Sequence, residues 1–336
     1  MSGERTANRP RLRLVHGPTP IVGHARLRER IGVDLWIKRD DMTGSAASGN
    51  KLRKLELLLA DARAQQADTV VTCGALQSNH ARATAVACAS LGLHSELVLW
   101  SDEGLEGAPS GNLLLSRMAG ARVHVITRDE YRDRHAIMQE LAAEIERRGG
   151  RPYVIPEGGS NGLGALGYVQ AMREVSEQMR LHLAGQGKFD LVAVACGSGG
   201  TAAGLALGAA AFDVATEVRA FAVCNDTAYF EREIAAIMAQ ARELDSSLPA
   251  PVRVTVDDSA KGPSYGVATP QQLRFMVEVA RLSGVVLDPV YTGKAMCGLA
   301  DVVRKDGAWI GKRVLFVHTG SVAAALAHGD DFKAYV

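Results

Sequence analysis

Cysteine is scarce and unpaired in this chain. Cys73, Cys88, Cys196, Cys224 and Cys297 make an odd number, lie far apart and include no Cys-x-x-Cys pair. They exclude a disulfide framework and fit reduced core thiols in the cytosol. There is no HExxH and no pair of histidines or cysteines at ligand spacing, so no metal site is expected. No nucleophile elbow is expected either, since Gly197 to Thr201 does not match that pattern. Charge of one sign is also missing: 38 Lys and Arg face 37 Asp and Glu, scattered along the chain, which gives no nucleic-acid footprint. No stretch reaches the roughly 20 apolar residues of a membrane span. The first residues, MSGERTANRPRLRL, lack the apolar centre of a signal peptide, and a protein of the cytoplasm is expected. Internal repeats and low-complexity tracts are absent too.

What is present suits a large α/β protein. At 336 residues and 47% hydrophobic, the chain can build a substantial core, and 35 glycines supply turns. Short β-type runs alternate with helical patterns: strands at Asp68 to Cys73, Glu96 to Trp100, Val123 to Ile126 and Tyr153 to Ile155, separated by helices at Ala81 to Ser90, Gly111 to Met118 and Arg132 to Arg148. A second series begins with helix Leu163 to Met179 and adds strands at Leu191 to Ala195, Val218 to Val223, Val252 to Val256, Val285 to Leu287 and Val314 to His318. Helices are expected between them at Thr201 to Ala210, Ala228 to Leu244, Pro270 to Leu282 and Lys294 to Val303. Strands joined by helices of this length imply two open, mainly parallel sheets flanked by helices. The expected division is a small domain over 52–160 and a large one from 1–51 and 161–336, with Leu35 to Ile37 lending a strand to the latter.

Ligands of open α/β sheets collect at the carboxyl ends of strands. Four unusual segments are expected at such ends: Gly74 to His80, Gly197 to Thr201, Leu287 to Lys294 and His318 to Ser321. A fifth, Ser48-Gly49-Asn50-Lys51, is a turn leading into a leucine-rich helix. Lys51 at that helix start meets the positive end of the dipole, so it sheds its proton more readily and suits Schiff-base chemistry, unless it is a plain surface lysine beside Arg53 and Lys54. Ser78 and Asn79 are either N-caps or, with His80, a nest for a substrate carboxylate. His80 could titrate near neutrality or be packed. Gly197-Ser198-Gly199-Gly200-Thr201 joins an apolar strand to an Ala-rich helix, and its amides can cradle a phosphate. It is neither the dinucleotide GxGxxG run nor a P-loop ending in Gly-Lys-Ser/Thr. Tyr291 could wall an aromatic cofactor or sit at the core edge, Tyr265 lies in a Gly-Pro-Ser-Tyr-Gly turn, and Lys294 is a second candidate for a Schiff base.

Taken in order, PTPIVGHARL at Pro18, IKRDD at Ile37, GNKLRKLEL at Gly49, QSNHARATA at Gln77, RPYVIPEGGS at Arg151, LDPVYTGKAM at Leu287 and LFVHTG at Leu315 resemble the D-cysteine desulfhydrase and 1-aminocyclopropane-1-carboxylate (ACC) deaminase family. These are pyridoxal 5'-phosphate (PLP) enzymes of fold type II, the tryptophan synthase β-like fold. The resemblance covers nearly the whole chain. It implies that Lys51 carries PLP as a Schiff base and moves the substrate's proton. Asn79 would bond the cofactor's 3'-oxygen, and Ser78 with the Asn79 and His80 amides would hold the substrate carboxylate. Gly197, Ser198, Gly199, Gly200 and Thr201 would bind the phosphate, Tyr291 would pack by the ring, and Tyr265 would face a small amino-acid substrate. A homodimer is implied as well.

The chain departs from the family at Ser48, where a glycine is common, and at Ser321, where HTGG is usual. At position 292 ACC deaminases resemble DPVYEGK and D-cysteine desulfhydrases DPVYTGK. A threonine there gives the pyridine nitrogen a weaker partner than a carboxylate does, which suits loss of a good β-leaving group. The expected reaction is D-cysteine to pyruvate, ammonia and hydrogen sulfide. The alternatives are an L-cysteate sulfo-lyase or other β-substituted alanine lyase, an ACC deaminase, and a degenerate PLP-binding protein without catalysis.

Overall fold

The computed structural model describes residues 9–102, 104, 108–320 and 322–336. Strands β1 (Ile21–Val22), β2 (Asp34–Lys38), β7 (Phe189–Cys196), β8 (Ala215–Ala222), β9 (Arg253–Asp257) and β10 (Arg313–Val317) form one sheet in the order β1-β2-β10-β7-β8-β9. All its pairs are parallel except β1 with β2. Strands β3 (Thr69–Ala75), β4 (His94–Trp100), β5 (Arg122–Ile126) and β6 (Pro152–Val154) form a second, wholly parallel sheet in the order β5-β4-β3-β6. The fold is therefore α/β with two sheets, mainly parallel.

Helices clothe both sheets in chain order: α1 (Ala25–Ile31), α2 (Lys51–Ala64), α3 (Asn79–Ser90), α4 (Gly111–Met118), α5 (Arg134–Arg147), α6 (Gly162–Arg180), α7 (Gly200–Ala211), α8 (Thr227–Leu244), α9 (Pro270–Ser283), α10 (Thr292–Lys305), α11 (Val322–Ala327) and α12 (Gly329–Phe332). Strand β7 shows why. Its FDLVAVAC run is apolar on both faces, so it needs cover on both. Val192 and Val194 face Ala203, Leu207 and Val169 on one side, while Leu191 and Ala193 join Val279, Met296 and Leu299 on the other. Among the described residues, no helix is long and apolar enough to cross a membrane.

One expected strand is absent. Residues 285–287 form no strand and pair with none; the Val286 carbonyl lies 3.0 Å from His318 Nε2. Three residues carry too little ladder to join a sheet without a free neighbouring edge. The segment from Leu287 therefore follows a coil, whereas β3, β7 and β10 run directly into the other three glycine-bearing segments. Ser321 falls outside the described residues.

Candidate active site

Lys51 opens α2, and its entry depends on Gly49, whose φ of +102° is closed to most side chains. The Asn50 amide donates to the Thr319 carbonyl at 3.2 Å, so the turn rests on the segment after β10. Asn50 Nδ2 donates to Thr201 Oγ1 at 3.0 Å, and Lys51 Nζ donates to Asn50 Oδ1 at 3.1 Å. One asparagine thus ties the amine to the glycine turn before α7. Burial lowers the Lys51 pKa to about 8, aided by the charge of Arg82 and opposed by Cys196, Glu157 and Asp288. Desolvation is the largest cause here.

The turn after β7 is the second element. Gly199 caps α7 with φ +81°, and a side chain there would press on Ile234 and Ile237 at 3.3 Å. Gly200 faces the other way: a Cβ would lie 2.7 Å from Ser160 Oγ and 2.8 Å from Lys54 Nζ. Lys54 is the residue that sequence reasoning missed. It is 1% exposed, donates to the Gly158 carbonyl at 3.1 Å and to Ser160 Oγ at 3.0 Å, and has no carboxylate among those partners. Burial, then Lys51, pushes its pKa well down. The available signal was spacing: three residues on from Lys51, it shares that helix face. The glycine turn therefore faces a buried amine as well as its own backbone amides.

On the β3 side, Ser78 caps α3, its Oγ accepting from the Ala81 amide at 3.2 Å, which leaves its own proton to donate. Asn79 Oδ1 accepts from Asn112 Nδ2 at 3.0 Å, and Asn112 also bonds the Gln77 side chain and carbonyl at 2.8 Å each. The His80 ring is not a neutral-pH titrator. Thr72 Oγ1 donates to the Ile155 carbonyl at 2.8 Å, so His80 Nε2, 2.9 Å away, must carry the proton and donate to Thr72. Burial, then the charges of Lys51 and Lys54, pushes its pKa well below the usual range.

Tyr265 and Tyr291 meet hydroxyl to hydroxyl at 2.6 Å, with rings edge to face at 5.9 Å. Burial raises both phenol pKa values, so both stay protonated. The segment before α10 is organised by Asp288. Its Oδ1 accepts from the Val290 and Tyr291 amides at 3.0 and 2.7 Å, and its Oδ2 accepts from the Thr292 amide and hydroxyl at 3.2 and 2.6 Å. The Asp288 amide returns a bond to Thr292 Oγ1 at 2.9 Å. Thr292 is fully buried with its proton committed to Asp288. Thr292→Val should strand two buried Asp288 groups and cost about 1–3 kcal/mol, read by denaturant unfolding of the two proteins.

Lys51, Ser78, Asn79, His80, Gly197, Ser198, Gly199, Thr201, Tyr265 and Tyr291 all border one cavity of about 550 Å³, a usual size for a small-ligand site. Gly200 and Thr292 stand just behind that wall. Lys294 does not reach it: its Nζ donates to the carbonyls of Lys261 and Ser264 at 2.6 and 2.9 Å, tying down the turn that carries Tyr265. The Gly-x-Ser-x-Gly spacing of a nucleophile elbow does occur, at Gly158–Gly162 and Gly262–Gly266, against the sequence expectation. Among the described residues, neither serine has a histidine partner. Ser160 Oγ serves Lys54, Ser198 and the Gly200 amide, and Ser264 Oγ reaches the Tyr265 carbonyl. Among the described residues no cluster of His, Cys, Asp or Glu could hold a metal.

A buried amine bonded to neutral oxygens, a turn with room for close approach and a second buried lysine of lowered pKa fit a phosphorylated aldehyde such as PLP. The family model described as pyridoxal-phosphate dependent enzyme matches residues 12–320. The chain is 44% identical over 315 residues to a bifunctional D-cysteine desulfhydrase/1-aminocyclopropane-1-carboxylate deaminase, mitochondrial, of Arabidopsis thaliana, covering 92% of this chain and 77% of that one. It is 42% identical over 323 residues to a D-cysteine desulfhydrase of Yersinia pestis, covering 95% and 96%. A crystal structure of an ACC deaminase homologue superposes with a TM-score of 0.89 at 36% identity, covering 99% of this chain and 98% of that one.

Proposed function

Since the chain belongs to the family of pyridoxal-phosphate-dependent enzymes, we propose that it eliminates the β-substituent of a small amino acid, D-cysteine first among them. With water, D-cysteine gives pyruvate, ammonia and hydrogen sulfide. The observation that carries this reading is the pairing of Lys51 with Lys54 at the glycine turn: two buried amines of lowered pKa, one placed to condense with an aldehyde and one beside the turn, where a bound anion would stabilise its charged form.

The cofactor supplies, when bound, an electron sink for the charge left at the substrate's α-carbon. The chain's own groups do the rest. Lys51 anchors the cofactor and then takes the proton from the α-carbon, for which a pKa near neutrality is well matched. Lys54, Thr201 and the amides of Gly197, Ser198, Gly199 and Gly200 hold the phosphate. Ser78 and the amides at the start of α3 hold the substrate carboxylate, and Asn79, steadied by Asn112, holds the 3'-oxygen. Tyr291 walls the ring and, as a protonated phenol paired with Tyr265, can hand a proton toward a departing β-group. No carboxylate side chain stands at position 292, which supports elimination of a good leaving group over opening of a cyclopropane. The same reading takes the protein as a cytoplasmic homodimer. Its lobes are 52–160, which holds β3 to β6, and 1–51 with 161–336, which hold the other six strands.

Steady-state rates with D-cysteine, L-cysteine, L-cysteate and ACC test the substrate. D-cysteine should give the highest kcat/KM, and faster turnover of ACC than of any cysteine derivative would contradict the assignment. The cradle is tested separately. Gly200→Val should weaken PLP binding at least about tenfold by filling the space beside Lys54 and Ser160. Gly199→Val, strained at positive φ and pressed against α8, should instead cost about 1–3 kcal/mol of fold stability. PLP titration and thermal unfolding of both variants separate the two effects.

A further inference from the structure

Arg82 is the bulkiest of the fully buried side chains, at 1% exposure, and it forms no ion pair among the described residues. Its guanidinium donates only to neutral oxygens of one loop: Nη1 to the Ala46 carbonyl and, at 3.4 Å, to Ser48 Oγ, and Nη2 to the Ser48 carbonyl at 2.8 Å. That loop runs through Gly49 and Asn50 into Lys51. Arg82 itself lies one turn along α3, whose first residues are Asn79 and His80. Leaving an arginine buried without a counter-ion is costly, and a structural strap between two loops could be made with a neutral side chain. Ser48, where glycine is common, adds an acceptor to the grip.

We propose that Arg82 is the positioning residue of Lys51, gripping the Ala46 and Ser48 oxygens so that the loop delivers the lysine into the cavity in register with the start of α3. The charge acts in the same sense. The groups facing Lys51 are Cys196 of β7, Glu157 of the turn before α6, Asp288 before α10, the Arg82 guanidinium, and the Lys54 amine and His80 ring, both of which the Lys51 charge pushes down. Of these, Arg82 disfavours a proton on Lys51, and it is held in place by hydrogen bonds to the very loop that carries Lys51.

The test uses the full chain freed of PLP, with acetic anhydride labelling across a pH series and mass spectrometry of the Lys51 peptide. The exposed Lys188 serves as internal reference. Lys51 of the wild type should titrate near pH 8. Arg82→Gln, which keeps hydrogen-bond donors but loses the charge, should lower Lys51 labelling at pH 7 about five- to tenfold relative to the reference. Arg82→Lys keeps the charge but not the fork. It should hold Lys51 labelling within about twofold of wild type while the Gly49 and Asn50 amides exchange hydrogen about tenfold faster. Unchanged Lys51 titration in folded Arg82→Gln would overturn the electrostatic half, and unchanged amide exchange in Arg82→Lys the positioning half. Should Arg82→Gln fail to fold, the Arg82→Lys exchange still decides. The consequence for catalysis rests on Lys51 being the cofactor lysine, but labelling reads the amine directly and succeeds or fails whichever residue PLP occupies.

Discussion

Lys51→Ala is expected to reduce β-elimination by about a thousandfold or more, with PLP bound only loosely and without a covalent link. The other buried amines and the His80 ring are already engaged. Lys54 is turned to Ser160 and the Gly158 carbonyl, and Lys294 is held by the carbonyls of Lys261 and Ser264. The His80 ring has its one proton on Thr72 and is kept neutral by burial beside two lysines. The fold should barely register the change, because among the described residues the amine donates a single hydrogen bond, 3.1 Å long, to Asn50. Rates at saturating PLP, together with thermal unfolding, check both parts. A variant with wild-type stability and more than about a tenth of wild-type activity would move the catalytic base elsewhere.

Arg53→Met should have the largest effect on stability, about 3–5 kcal/mol, through a charge cluster packed under the same helix. Arg53 forks onto Asp40 at 2.7 and 2.8 Å and reaches Glu174 at 3.0 and 3.1 Å. Lys38 bonds Glu174, Gln178 and the Thr19 carbonyl, and Tyr168 donates to Asp40 at 2.7 Å. Removing the guanidinium leaves Asp40 fully buried with its main counter-charge gone. The cluster also makes a pH signature. Despite burial, the Arg53 charge holds the Asp40 carboxyl down at about 2, below its ordinary 3.8. A depressed carboxylate stabilises the fold fully above the unfolded value and loses that contribution as pH falls toward the folded one. Wild-type stability should therefore decline between about pH 4 and pH 2, and Arg53→Met should flatten that decline. Urea unfolding at pH 7, 4 and 2.5 tests this; equal slopes in the two proteins would remove Arg53 from the account. Since Arg53 lies two residues past Lys51, the cluster also anchors the helix that presents the amine.

Much of this was legible because it depends on local pattern. The apolar run of β7 followed by Gly197-Ser198-Gly199-Gly200 could hardly be anything but a buried strand entering a tight turn. Gly49-Asn50 before a leucine-rich stretch marked the start of α2 in the same way. What was hidden depends on distant partners. Lys54 looked like a solvated helix residue because the chain around it does not show that α6 and the 157–160 turn close over it. Thr292 looked like a cofactor contact, but Asp288, four residues earlier, holds its hydroxyl. The coil at 285–287 has strand composition and simply lacks an edge to pair with. Arg82 gave no signal at all, because its partners lie 34 and 36 residues away on another loop.

The central claim is that PLP sits on Lys51, and borohydride reduction of the holoenzyme followed by peptide mass spectrometry tests it most directly. The reduced pyridoxyl group should be recovered on the peptide containing Lys51, with loss of the visible absorbance that the bound cofactor confers. Recovery on Lys54 or Lys294, or a protein that takes up no PLP and shows no visible absorbance, would contradict it.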